Sequence, residues 1–113
     1  MPLQPPRPIP AWIGELSATK FGSDCIQYFH WPEYFQRSPS EKVEGAEDCL
    51  YLNIYVPVRD KGTNKTPMPV LFWIHGGAFQ FGSGTFHNVT YLMDHDVILV
   101  TINYRLGPMG RLI

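Results

Sequence analysis

The sequence has no apolar run long enough to cross a bilayer. Its longest, around Val70–Ile74 and Val97–Ile102, fall far short of the roughly 20 residues a spanning helix needs. It has no excess of either charge: nine Lys and Arg oppose ten Asp and Glu, for a formal net charge of −1. The basic residues are scattered, so the chain presents no electrostatic footprint for nucleic acid. His30, His87 and His95 have no metal-ligand spacing among themselves or with the two cysteines, which leaves no metal site to propose. No cofactor motif and no internal repeat is present. Residues 1–20 lack a charged start followed by an unbroken apolar stretch, so no signal peptide is visible. At 113 residues the chain has room for one small domain and not for two.

Proline, glycine and rings are what it does have, with 11 Pro, 10 Gly and 14% aromatic residues. Proline is concentrated in Pro2–Pro10, which predicts extended chain anchored by Trp12 and Ile13; a proline-rich partner-binding segment is the alternative. Cys25 and Cys49 allow two readings. Paired, they close a loop and stabilise by about 3 kcal/mol in the chain-entropy model; unpaired, they are buried thiols of a reducing compartment. Two N-glycosylation sequons, Asn64-Lys65-Thr66 and Asn88-Val89-Thr90, favour the secreted case, although Pro67 weakens the first as an acceptor. Between the cysteines, Tyr28–Phe35 is rich in rings and reads as an Ω-type loop packed by its own side chains.

Periodicity supplies the elements. Asp48–Pro57 alternates, with Leu50, Leu52, Ile54 and Val56 on one face and Tyr51, Asn53 and Tyr55 on the other, which predicts a strand ended by Pro57. Arg59–Pro69 reads as a surface turn. Met68–Ile74 is nearly all apolar and predicts a strand buried on both faces. Phe86–Asp94 predicts a short helix with Thr85 as a weak cap. Val97–Tyr104 predicts a further buried strand, broken by Gly107-Pro108. Strand, strand, glycine loop, short helix, strand is the opening of an α/β sheet.

The chemistry concentrates in His75-Gly76-Gly77-Ala78-Phe79, at the end of the apolar run. Small residues in a row leave main-chain N–H groups unscreened, and such donors can converge on the oxygen of a reacting carbonyl. No Gly-x-Ser-x-Gly accompanies them. Ser83, in Gly82-Ser83-Gly84, lacks the outer glycines and the strand-to-helix context of a nucleophile and reads as a backbone turn. Glu47 and Asp48 read as a buried or hydrogen-bonded pair ordering the loop between the cysteines.

Three segments, in order, carry a resemblance. Glu47-Asp48-Cys49-Leu50-Tyr51-Leu52-Asn53-Ile54-Tyr55-Val56-Pro57 resembles the signature of the type-B carboxylesterase and cholinesterase family. Val70–Phe79 with Gly82-Ser83-Gly84 is similar to that family's oxyanion-loop region, and Val97–Arg105 with Leu106-Gly107-Pro108 to its following strand and turn. Pro8–Trp12 and Phe21–Cys25 also fit, so the likeness spans nearly the whole chain. Within the family it is closest in character to arthropod secreted esterases, including those acting on juvenile hormone.

The resemblance implies the N-terminal portion of an α/β-hydrolase mixed sheet, incomplete, over residues 1–113, with later units absent. It implies a Cys25–Cys49 disulfide whose loop lies beside an active-site gorge. It implies oxyanion donors at the Gly77 and Ala78 N–H groups, with Gly76 supplying the turn and a third donor following a catalytic serine outside this sequence. The chemistry implied is serine attack on a small-molecule ester, an acyl-enzyme, and hydrolysis. His75 precedes the serine; in the hydrolase order Ser, acid, His it is not the general base and reads as a ring that fixes the loop. Met1-Pro2-Leu3 stands where the family usually has Arg-Phe, and Met109–Ile113 replaces an expected glycine, aromatic and leucine. The expectation is therefore a fragment of a secreted ester hydrolase, inactive alone; a fragment of a non-catalytic, cholinesterase-like cell-adhesion protein is the alternative.

Overall fold

Residues 98–102, Ile-Leu-Val-Thr-Ile, form the axis on which the rest is hung. The computed structural model describes residues 4–28, 43–59 and 66–111. Their elements are β1 (Gln27–Tyr28), β2 (Val43–Glu44), β3 (Leu52–Tyr55), β4 (Val70–Ile74), β5 (Ile98–Ile102) and α1 (Gly107–Arg111). The β-branched run of β5 suits a pleated, half-covered surface. It takes the centre of a three-stranded sheet of order β3-β5-β4. β3 lies antiparallel to it, from Leu52 opposite Ile102 to Tyr55 opposite Leu99. β4 lies parallel, from Val70 opposite Ile98 to Ile74 opposite Ile102. The sheet is mixed, as an α/β opening requires.

A parallel pair needs a long crossover, usually a helix. Here residues 75–97 make it almost without one. The helix predicted over Phe86–Asp94 is reduced to a single 3-10 turn, Leu92–Asp94, with no side-chain cap. The reason is local. Asn88 Oδ1 accepts from the Thr90 N–H at 2.9 Å and from its hydroxyl at 2.5 Å, a side-chain turn that competes with helical hydrogen bonding.

Burial corrects two further expectations. β4 is exposed at all five positions rather than buried on both faces, because no layer of the described residues packs over it. The strand predicted over Asp48–Pro57 pairs only at Leu52–Tyr55, and its apolar face points outward: Leu52 and Ile54 are 56% and 61% exposed. The face with Asn53 and Tyr55 is the covered one. There the Asn53 amide donates to Thr101 Oγ1 at 3.1 Å across the ladder, and Phe21 leans on the Tyr55 ring.

Cys25 and Cys49 are joined, and with Leu106 and the flank of Tyr104 they form the main buried apolar cluster. The loop they enclose closes at its base as a small antiparallel ladder, Gln27 opposite Glu44 and Tyr28 opposite Val43. The aromatic segment beyond Tyr28, with His30, lies outside the described residues. Glu47 and Asp48 are exposed rather than buried. Asp48 is hydrogen-bonded to the Tyr51 hydroxyl, which raises that phenol's pKa. Gly107-Pro108 ends the extended run after β5 but also begins α1, where proline's fixed φ suits a first helical turn.

Candidate oxyanion loop

Past Ile74 the backbone turns through an unusual sequence of torsions. Gly77 has φ +122°, Ala78 +54° and Phe79 +60°. Positive φ is uncommon for residues with a Cβ. Two in a row cost of order 1–3 kcal/mol each and persist only where surroundings impose them. The turn is held by its carbonyl side: Gly77 O accepts from the N–H of Gln80 at 2.9 Å and of Phe81 at 3.2 Å. Among the described residues, no backbone carbonyl accepts from the N–H of Gly77 or of Ala78. Gly76 and Ala78 are exposed, and Gly77 is half-buried.

Beneath the turn lies His75, only 4% exposed. Its Nδ1 is 2.8 Å from Gly76 O. Its ring stacks on Tyr104, centroids 4.2 Å apart at 14°, and the Tyr104 hydroxyl donates back to His75 O at 2.8 Å. Burial raises the pKa of that phenol above its ordinary value. His75 Nε2 is buried without a hydrogen-bond partner among the described residues. Phe79 meets Tyr104 edge-on, and Phe79 O accepts from Gly107 N at 2.6 Å.

The returning limb, Gly82–Thr85, is tied to the disulfide region by side chains whose part was not read from the sequence. Gln27 binds both backbone groups of Gly82: Oε1 accepts from its N–H at 2.7 Å, and Nε2 donates to its carbonyl at 3.0 Å. The same Nε2 donates to Cys25 O at 3.1 Å. Ser83 is more than a backbone turn. Its buried hydroxyl donates to the Asp24 carboxylate and lies 2.7 Å from Thr85 Oγ1. It faces an aspartate and a threonine, not a histidine, as a structural hydroxyl does. Asn103, buried at the end of β5, accepts from Gly84 N at 2.8 Å and donates to Ser23 O at 3.1 Å. A lone amide directly after an apolar strand is the signal that marks Asn103. Asp24 and Gln27 carry only their nearness to Cys25.

The remaining candidates lie apart from this loop. Asn88 is exposed in its own turn, and Asn64 lies outside the described residues. His87 meets Trp73 edge-on, and His95 is exposed.

A backbone segment with two N–H groups that no described backbone carbonyl accepts, at the end of a parallel strand, invites comparison with known proteins. The model of the carboxylesterase family matches residues 3–112. Venom carboxylesterase-6 of Apis mellifera is 54% identical over 110 residues, which cover 96% of this chain and 18% of that protein. Juvenile hormone esterase of Tribolium castaneum is 46% identical over 111 residues, 96% of this chain and 17% of that one. Among solved structures, a Geobacillus stearothermophilus carboxylesterase superposes with a TM-score of 0.64 at 41% identity, covering 94% of this chain and 19% of that one. The chain thus spans less than a fifth of the length of these relatives, and its mixed sheet is part of their α/β-hydrolase fold. The motifs, the sheet and the family model agree over nearly the same residues, and the chain belongs to the carboxylesterase family.

Proposed function

We propose that this chain contributes the oxyanion loop and the first disulfide loop of a secreted carboxylic-ester hydrolase that works through a serine acyl-enzyme. The observation that carries the reading is the pair of N–H groups at Gly77 and Ala78, at the end of β4 and without a backbone acceptor among the described residues. Donors fixed in this way stabilise the alkoxide of a tetrahedral intermediate, typically by about 3 kcal/mol each. Gly76 leads into the turn, whose positive φ values fall on Gly77, Ala78 and Phe79, and the third donor belongs to the residue after the catalytic serine. Serine, acid and general base come from sequence outside this chain, and no cofactor enters the reaction. The substrate is a small-molecule ester.

Turnover of a nitrophenyl ester by the full-length protein, abolished by a serine-directed organophosphate, is the expected result. A folded full-length protein that turns over no ester would move the chain to the alternative, a non-catalytic cholinesterase-like adhesion protein.

Secretion is the second part of the proposal. It is supported by the Cys25–Cys49 bridge and by the Asn88-Val89-Thr90 sequon, whose Asn88 and Thr90 are exposed. Protein made in a secretory host is expected to carry glycan at Asn88, and Asn88→Gln to remove one glycosidase-sensitive step in gel mobility. Asn64 is the second candidate acceptor. An unchanged mobility would count against Asn88.

A further inference from the structure

We infer that His75 is a positioning residue for the oxyanion loop, acting through the peptide that joins Gly76 to Gly77. The inference rests on the oxyanion reading above and adds the device that aims the donor. Gly76 O is a carbonyl and can only accept. At 2.8 Å the hydrogen between it and His75 Nδ1 must therefore sit on Nδ1. The described residues contain no cis peptide, so the Gly76 carbonyl and the Gly77 N–H lie in one plane and point in opposite directions. A ring that holds the carbonyl inward turns the N–H outward, to where a reacting oxygen would sit.

The ring is itself held. Tyr104 stacks on it and donates to the His75 carbonyl. Its Nε2, buried and without a partner among the described residues, is the bare nitrogen of this tautomer. Gly82 completes the clasp by leaving room for it: a Cβ there would lie 2.3 Å from His75 Nδ1 and 2.6 Å from Gly76 O. Gln27 keeps Gly82 at that spot from both of its backbone groups.

A purely structural histidine would act through its ring; a positioning one acts through its Nδ1 hydrogen. Two substitutions in the full-length enzyme separate these. His75→Phe keeps the ring on Tyr104 and loses the donor. His75→Asn loses the ring but puts an amide N–H close to the place of Nδ1. We expect His75→Phe to lower kcat by about 100-fold, the scale of one oxyanion donor, with KM changed little. It should also weaken binding of a trifluoromethyl ketone, which forms a hemiketal alkoxide on the serine, by a similar factor. His75→Asn should keep most of kcat, whatever its melting temperature. The reverse order, with His75→Phe active and His75→Asn impaired, would overturn the inference. Nitrogen-15 spectra of the wild-type imidazole test it without turnover: protonated Nδ1 and bare Nε2 support it, and protonated Nε2 with bare Nδ1 overturns it. A wild type inactive on esters would remove the functional reading, while the nitrogen pattern would still decide whether the clasp exists.

Discussion

A Cβ added at Gly77 would lie 1.8 Å from the Phe81 carbonyl oxygen, on a residue whose φ of +122° side chains avoid. Gly77→Ala therefore forces the turn to rebuild. The expected cost is about 1–3 kcal/mol of strain, seen as a lowered melting temperature of the full-length protein, with a fall in kcat of roughly the size of one lost donor. Unchanged kcat would mean that the Gly77 N–H is not used. Tyr104 makes a different prediction. Tyr104→Phe keeps the stack on His75 and removes the hydroxyl that reaches His75 O, a loss of about 1 kcal/mol. The phenol's pKa is raised by burial in the fold, so the folded state holds the proton more tightly than the unfolded one. Its contribution to stability is then full below the ordinary tyrosine pKa, near 10. It is lost as pH rises through the higher folded value. Denaturation midpoints measured between pH 8 and 12 should fall less steeply for Tyr104→Phe than for wild type.

At the scale of elements, what could be read from the sequence depended on whether one stretch of chain decided its own conformation. β5 was legible because a run that is β-branched at every position but Leu99 has little alternative, and the loop after β4 because two glycines and an alanine follow an apolar strand. The helix over 86–94 was not, since its spacing suited a helix while the Asn88 side chain captured the Thr90 N–H. Nor were the faces of β3, because alternation separates two faces without saying which one a neighbour will cover. Gln27 and Asp24 escaped notice because their partners, Gly82 and Ser83, are remote in sequence. That remoteness makes the disulfide region a support for the proposed oxyanion loop. Reducing Cys25–Cys49 should cost about 3 kcal/mol through the unfolded chain, and it should also lower kcat by loosening the limb that Gln27 and Asp24 hold. Non-reducing mass spectrometry of secreted protein should show the two joined; free thiols at both positions would contradict the structure.

For the whole molecule, surface area decides what the chain can do alone. A folded monomer of 12.9 kDa is expected to expose about 6,300 Å², whereas this chain exposes 9712 Å². A chain of this length packed into one domain has a radius of gyration of about 13 Å, against 17.2 Å here, in a slab 21 Å thick. Part of that surface is apolar and lies on the sheet: Val70, Leu71, Phe72, Trp73 and Ile74 on β4, with Leu52 and Ile54 on β3, are all exposed. The β4 and β3 sides are also the two edges of the sheet, and an apolar strand with an open edge is a template for pairing with another chain. Burying these faces needs layers that the longer relatives have sequence enough to supply. Residues 1–113 expressed alone should therefore associate through the sheet, seen as high-mass species in size-exclusion chromatography. They should show no organophosphate-sensitive turnover of nitrophenyl acetate, because on the proposed reading the nucleophile lies outside these residues. A monodisperse monomer that hydrolyses the ester would refute both statements, and would require a nucleophile within the chain itself.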